Sequence, residues 1–204
     1  MRLLIVLLFP MMASGQRFVY YFHGAIVEGK ASGVESPVWG RYEVDQIVDR
    51  FRREGFTVIS EIRPAGTDVP TYAARIAEQI RNQLAEGVAA SRITLLGGSK
   101  GAVIAMHVAA RLQQSDLNVV LLGGCHEGTF AAYPDLQLYG RVLSVFEASD
   151  PVAKSCETLR RRSGIGLSRY KELEIHTGAE HGFQFRPYED WVQPALRWAR
   201  EQYD

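Results

Sequence analysis

The stretch of sequence that decides the fold is Leu95-Leu96-Gly97-Gly98-Ser99-Lys100-Gly101-Ala102. In it a short apolar run ends in the pattern Gly-x-Ser-x-Gly, and a helical pattern begins directly afterwards. This order predicts a strand, a sharp turn and a helix, with the Ser99 hydroxyl exposed above the edge of a sheet. We expect Gly97 and Gly101 where strand and helix pass too close for a Cβ. Because the pattern also arises by chance in Gly-rich turns, the rest of the chain has to decide whether Ser99 is catalytic.

The chain around this stretch alternates between apolar runs and amphipathic segments. Six short, nearly continuous apolar runs predict strands that are covered on both faces, as in a parallel sheet; they span residues 18–22, 56–62, 93–96, 119–122, 142–146 and 173–176. Apolar stripes at helical spacing predict helices between them; these span residues 42–54, 71–86 and 102–113, with a last helix starting near Asp190 and Pro194. The fold class expected is α/β, a three-layer α/β/α sandwich whose mainly parallel sheet has about six strands.

Two long connections carry no obvious helix, residues 24–40 and residues 123–140. Both follow predicted strands, so they should lie at the carboxyl edge of the sheet, where ligands of such folds bind. The second contains Phe130 and Tyr133, which are candidates for substrate contact. The alternative, that these aromatic side chains pack the loop onto the body of the protein, has equal weight.

A catalytic serine needs a histidine as general base and a carboxylate to orient that histidine. Asp150 follows the run 142–146, and His181 follows the run 173–176, so both should lie at the same sheet edge as Ser99. Glu147 is the rival carboxylate, and Asp150 before Pro151 could also be a turn or cap residue. Of the remaining histidines, His23, His107 and His176 occupy positions that suit structural roles, whereas His126 lies at a strand end but precedes Asp150 in the chain.

The order Ser99, Asp150, His181 resembles that of the α/β-hydrolase family, and the chain looks most like the small, lidless serine esterases of that family. Four motifs carry the resemblance, which extends from about residue 18 to residue 198: His23-Gly24-Ala25, Gly97 to Gly101, Asp150-Pro151 and His181-Gly182-Phe183. The resemblance implies that Ser99 is the nucleophile, His181 the general base and then acid, and Asp150 the orienting carboxylate.

The same resemblance implies an oxyanion hole made by the backbone N–H groups of Lys100 and of Ala25 or Ile26. His23 is expected to shape this loop and to border the substrate together with Glu28, although Glu28 could equally be a surface carboxylate. The Lys100 side chain is expected to be solvated, with attraction of acidic substrates as the alternative. The chain departs from the family in lacking two N-terminal strands and a cap domain, which predicts an open, shallow site suited to short esters.

Composition limits the classes of function. The 204 residues include 23 Lys and Arg against 23 Asp and Glu, so the formal net charge is zero and nothing predicts a nucleic-acid partner. Arg2, an apolar run and Ala13-Ser14-Gly15 predict a signal peptide over residues 1–15, followed by a single hydrolase domain over residues 16–204. A buried N-terminal strand is the alternative. We therefore expect a periplasmic or secreted protein without a stable membrane anchor.

Cys125 and Cys156 suit an exported protein, because after export they could form a disulfide; in a reducing compartment they would be two separate buried thiols. Their surroundings do not resemble a metal site, and the chain has neither a phosphate-binding loop nor a dinucleotide fingerprint, so we expect no metal and no cofactor.

The function predicted from the sequence is hydrolysis of a carboxyl ester or related small acyl compound through an acyl-enzyme. Two alternatives remain: an acyltransferase that uses the same three side chains, and a catalytically silent module that binds a ligand or partner protein.

Overall fold

The computed structural model describes residues 15–204 of the chain. The predicted signal peptide, and the alternative of a buried N-terminal strand, fall on residues that lie outside this range except for Gly15. Within residues 15–204, no helix is both long enough and apolar enough to cross a membrane.

A six-stranded parallel sheet forms the centre of the described chain. Its strands are β1 (Phe18–Phe22), β4 (Thr57–Ile59), β5 (Ile93–Gly98), β6 (Asn118–Leu122), β7 (Gly140–Glu147) and β8 (Leu167–Ile175). They lie in the order β4-β1-β5-β6-β7-β8, and every neighbouring pair is parallel. A separate two-stranded ribbon, β2 (Glu35–Ser36) and β3 (Gly40–Arg41), lies in the first long connection.

Helices cover both faces of this sheet. On one face lie α1 (Val44–Arg53) and α6 (Glu189–Ala199), and on the other lie α2 (Val69–Ala85), α3 (Lys100–Leu112), α4 (Glu127–Ala132) and α5 (Glu157–Arg162). Strand β1 shows why two cores form: Phe18, Tyr20 and Phe22 pack with α2 and α3, whereas Val19 and Tyr21 pack with α1 and α6. The predicted three-layer sandwich with a parallel sheet of six strands is confirmed.

The main differences from the sequence prediction concern one strand of the sheet and three helices. Strand β8 begins at Leu167, six residues before the predicted start, and its first three residues are half-buried or exposed. The second long connection was expected to lack a helix, but it contains α4, and α5 was not predicted at all. Helix α6 begins at Glu189, so Pro194 lies inside the helix and does not mark its start.

Candidate active site

Ser99 occupies a strained turn between β5 and α3. Its φ is 51° and its ψ is −120°, a conformation that side chains with a Cβ rarely adopt. The flanking glycines allow the turn: a Cβ on Gly97 would lie 2.2 Å from the Gly101 carbonyl oxygen, and a Cβ on Gly101 would lie 1.9 Å from the Phe22 carbonyl oxygen. The turn is further fixed by the Ser99 N–H, which donates to the Leu122 carbonyl at 2.8 Å.

His181 and Asp150 meet Ser99 at the carboxyl edge of the sheet. His181 lies in the 3-10 turn Glu180–Phe185 after β8, and its Nε2 is 3.0 Å from the Ser99 Oγ. On the other side of the ring, Nδ1 is 2.7 Å from the Asp150 Oδ2. Strands β5, β7 and β8 thus bring together three side chains that are up to 82 residues apart in sequence.

The surroundings of Asp150 keep this side chain ionised. Burial by itself would raise the pKa of Asp150, but hydrogen bonds from His181 and from the N–H groups of Val152 and Ala153 outweigh burial and lower the pKa. An ionised Asp150 accepts from the Nδ1–H of His181, which leaves Nε2 free to accept the Ser99 proton. The arrangement can therefore generate a serine nucleophile.

The rival carboxylate, Glu147, is engaged elsewhere. Its Oε2 accepts from the Thr177 N–H at 2.7 Å and from the Thr177 hydroxyl at 2.6 Å, and its Oε1 accepts from the Ser149 hydroxyl. Glu147 therefore ties the end of β7 to the segment that follows β8. The geometry favours Asp150 as the partner of His181.

The predicted oxyanion donors lie on two segments beside Ser99. A Cβ on Gly24 would lie 3.7 Å from the Ser99 Cβ, so the turn Ala25–Val27 begins next to the serine. Within residues 15–204 the N–H groups of Ala25, Ile26 and Lys100 have no hydrogen-bond acceptor. The Gly24 N–H is occupied, because it donates to the Tyr42 hydroxyl at 3.0 Å. Free donors at this place are what an oxyanion hole requires.

Glu28 is neither a surface carboxylate nor open to a substrate, which corrects both expectations for this residue. It is 8% exposed and contacts two cations, Arg63 (Nε to Oε1, 3.3 Å) and Lys100 (Nζ to Oε1, 2.8 Å). The expectation of a solvated Lys100 is corrected too, because its ammonium group is bound to Glu28. We call these three residues the Glu28–Arg63–Lys100 cluster.

His23 is fully buried, so its expected contact with a substrate is also corrected. Its Nδ1 lies 2.8 Å from the Gly24 carbonyl oxygen, and its Nε2 accepts from the Arg63 N–H at 3.1 Å. Burial, together with the nearby Arg63 cation, lowers the pKa of His23 to about 4. The ring is therefore neutral at ordinary pH and supports the turn Ala25–Val27 from within.

Phe130 and Tyr133 lie in and just after α4, where both are partly buried against the core. The Tyr133 ring packs edge-on against His107 at 4.5 Å between ring centroids, beside a cavity of about 430 Å³. His107 lies eight residues along α3 from Ser99, which is about 12 Å along the helix axis. A substrate contact by Phe130 or Tyr133 therefore stays a prediction.

The structure brings further side chains to the site that the sequence analysis did not single out. The Gln184 Nε2 lies 3.2 Å from the His181 Nε2, and its Oε1 is buried without a partner in the described chain. Trp39 packs against the His181 ring at 5.3 Å. Gln184 had one available signal, because residues three apart in a helical turn share a face. Trp39, in the first long connection, and Arg63, between β4 and α2, had none.

Cys125 and Cys156 are bonded to each other, with 5.2 Å between their Cα atoms. The bond joins the segment after β6 to the segment after Asp150, and the Lys154 N–H donates to the Cys125 carbonyl beside it. In the described residues, no group of three or more His, Cys, Asp and Glu side chains is placed to hold a metal ion.

Comparison with known proteins gives the fold its name. No protein-family model matches the chain, and no curated protein matches its sequence. A YdeN-like hydrolase of Pectobacterium atrosepticum is 16% identical, with a TM-score of 0.58 over 92% of this chain and 92% of that one. Esterase PE8 is 16% identical, with a TM-score of 0.59 over 91% and 92%, and the type II thioesterase YbtT of the yersiniabactin pathway is 15% identical, with a TM-score of 0.54 over 96% and 98%. The chain has the α/β-hydrolase fold.

Proposed function

We propose that this protein is a serine hydrolase that cleaves a carboxyl ester or a related small acyl compound. The observation that carries the proposal is the hydrogen-bonded series from the Ser99 Oγ to His181, at 3.0 Å, and from His181 to Asp150, at 2.7 Å. The series lies at the carboxyl edge of the sheet, beside unoccupied backbone donors. Such an arrangement has the geometry needed to activate a serine and to bind the oxyanion that its attack creates.

In the first half of the reaction, the Ser99 Oγ attacks the acyl carbon and His181 Nε2 takes the hydroxyl proton. The carbonyl oxygen becomes an oxyanion that accepts from the N–H of Lys100 and from the N–H of Ala25 or Ile26. When the tetrahedral intermediate collapses, the bond to the leaving group breaks and His181 gives its proton to that group. The products are a free alcohol or thiol and an acyl ester on Ser99.

In the second half, a water molecule takes the place of the leaving group. His181 Nε2 removes a proton from the water as the water oxygen attacks the acyl carbon, and a second tetrahedral intermediate forms. Its collapse breaks the bond to Ser99 and returns the proton to the serine Oγ. The acid is released, and Asp150 remains ionised throughout because its role is to orient and stabilise the ring.

Short acyl groups are the proposed substrates. Between β6 and β7, where larger relatives of this fold carry a cap, the chain has the six-residue helix α4. Ser99 is half-buried, so a small acyl group can reach it from solvent. The names of the similar structures, an esterase and a thioesterase among them, support oxygen esters and thioesters as the two leaving-group classes to test.

The test is covalent labelling with a fluorophosphonate, followed by mass spectrometry to locate the adduct. We expect one adduct on Ser99 in the wild-type protein, none in Ser99→Ala, and strongly slowed labelling in His181→Ala. Ser115→Ala is the matched control. Ser115 is exposed and precedes β6, at the edge of the sheet opposite to Ser99. A folded wild-type protein that takes no label would contradict the proposal and favour a binding module.

We also propose that the protein works outside the reducing cytoplasm, in the periplasm or after secretion. The disulfide between Cys125 and Cys156 supports this location, because disulfides persist in oxidising compartments. The apolar run near the N-terminus supports it independently.

A further inference from the structure

The segment that carries two candidate oxyanion donors, residues 23–29, is held by one buried arginine. The Arg63 Nη2 donates to the His23 carbonyl at 2.6 Å, and the Arg63 N–H donates to the His23 ring at 3.1 Å. At the other end of the segment, the Arg63 carbonyl accepts from the Gly29 N–H at 2.7 Å. The Arg63 Nε donates to the Glu28 Oε1 at 3.3 Å. Ala25 and Ile26 lie between these two fixed ends.

Glu28 also connects this segment to the opposite side of the oxyanion hole. Its two carboxylate oxygens lie 2.8 and 2.9 Å from the Lys100 Nζ. Lys100 follows Ser99 directly, and its backbone N–H is the other candidate donor. A single carboxylate thus joins two segments that are 72 residues apart and that supply opposite halves of the hole.

We propose that Glu28 and Arg63 are positioning residues, and that the Glu28–Arg63–Lys100 cluster sets the distance between the two halves of the oxyanion hole. This inference rests on the proposed function, because it assigns the cluster a role in that reaction. The cluster does not touch the substrate. It acts through the backbone N–H groups of Ala25, Ile26 and Lys100.

The chemistry of the cluster favours a positioning role over a role in stability alone. Arg63 is fully buried and Glu28 nearly so, and burying charges costs free energy that the attraction between them recovers only in part. Apolar side chains of similar volume would hold the two segments together at least as well. Ionic hydrogen bonds add direction, because they fix both the distance and the angle between the segments. Two cations against one carboxylate also leave a net positive charge beside the place where the oxyanion develops.

Two variants test the proposal by steady-state hydrolysis of p-nitrophenyl acetate, a neutral ester, so that loss of the Lys100 charge removes no ion pair with the substrate. Glu28→Gln removes the charge that joins both cations, and Lys100→Met removes one tie and leaves the pair of Glu28 and Arg63 intact. Displacing a catalytic donor by about 1 Å costs on the order of a hundredfold in rate, so we expect kcat to fall about ten- to a hundredfold with KM changed less than about twofold.

Binding of a short alkyl boronic acid, which mimics the tetrahedral intermediate, distinguishes positioning from a general loss of structure. Its dissociation constant should rise by the same factor as kcat/KM falls, whereas that of the product carboxylate should not change. In the double variant the losses in kcat should not add, because both substitutions break the same ion pair, the one between Glu28 and Lys100. Glu54→Gln is the matched control: Glu54 also joins two cations, Arg50 and Arg200, but it lies at the end of α1.

Wild-type kcat in both variants, or a change in KM alone, would overturn the proposal. If Glu28→Gln does not fold, Lys100→Met decides by the same criteria. The Lys100 side chain is partly exposed, and its removal leaves Arg63 paired with Glu28. Failure of the proposed function looks different: the wild-type protein itself would neither hydrolyse the ester nor react with a fluorophosphonate, and both proposals would fall together.

Discussion

Two carboxylates lie at the end of β7, Glu147 as its last residue and Asp150 three residues further on, and their hydrogen bonds separate their roles. Asp150 directs one oxygen at His181 and the other at two backbone N–H groups. Glu147 is also buried, and burial by itself would raise its pKa, but hydrogen bonds from Thr177 and Ser149 lower it. Both side chains are therefore anionic, and position alone distinguishes them.

We expect Asp150→Asn to lower kcat for ester hydrolysis on the order of 10³- to 10⁴-fold, because an amide at this position favours the wrong tautomer of His181. Glu147→Gln is the matched control and should lower kcat less than about tenfold, since the Gln oxygen can still accept from Thr177. The measurement is steady-state kinetics on p-nitrophenyl acetate, with circular dichroism to verify folding. Equal losses in the two variants would argue against Asp150 as the orienting carboxylate.

His23 makes stability depend on pH. In the folded protein its pKa is about 4, below the value of about 6.5 in an unfolded chain, so the unfolded state binds more protons between these values. The contribution of neutral His23 is fully present above about pH 6.5 and is lost as the pH falls through 6.5 towards 4. Its size is about 3 kcal/mol from the difference between the two pKa values.

We therefore expect the free energy of unfolding to fall from pH 6.5 to pH 4.5, and His23→Gln to flatten this slope whatever its effect on stability at pH 7. Denaturant titrations at a series of pH values measure both quantities. His176→Gln, which removes an exposed histidine, should keep the wild-type slope. A wild-type slope in His23→Gln would show that other groups cause the dependence.

Among single residues, those of the candidate site can be predicted from the sequence where a recognisable pattern, such as an apolar run, directly precedes them. Ser99, Asp150 and His181 each follow an apolar run, so the parallel sheet brings them to one edge, and the structure places them together. Arg63 has no such signal, because its contacts with His23 and Glu28 lie 40 and 35 residues away and depend on how two connections pack. For the same reason, the burial of Glu28 could not be predicted from its own surroundings.

At the level of elements, predictability depends on burial and length. Strands β1, β5 and β6 are buried throughout, so hydrophobicity alone reveals them. Strand β8 lies at the edge of the sheet, where its first residues, including Ser168 and Arg169, face solvent and interrupt the apolar pattern. Helices α4 and α5 have six residues each, less than two turns, which is too short to show a periodic stripe.

The disulfide joins two elements of the site, the segment after β6 and the segment after β7. Its cysteines are 31 residues apart, and closing a loop of that size in the unfolded chain contributes about 3 to 4 kcal/mol. We expect the double variant Cys125→Ala, Cys156→Ala to lose about this much free energy of unfolding. Denaturant unfolding with and without a reductant measures it, and only the wild-type protein should respond to the reductant. A double variant as stable as the wild type would contradict the expectation.

For the whole molecule, we predict export from the cytoplasm through an N-terminal signal peptide. If residues 1–15 are a signal peptide, protein recovered from the periplasm or medium of a bacterial host should begin at Gln16. Intact-mass measurement after cell fractionation gives the answer. A Leu7→Arg variant, which interrupts the apolar run, should remain in the cytoplasm at full length. Wild-type protein that keeps residues 1–15 and stays in the cytoplasm would refute export.

The strained backbone at Ser99 has a consequence for how this sequence can drift. A residue with a Cβ at φ 51° and ψ −120° costs on the order of 1 to 3 kcal/mol, and glycine would remove most of that cost. Selection for stability alone would therefore favour Ser99→Gly. In a homologue that had lost its catalytic activity, this substitution would be stabilising and would give the sequence Gly-Gly-Gly-Lys-Gly. A serine at this position lowers the stability of the turn. A catalytic role of the hydroxyl would explain why serine stands here and not glycine.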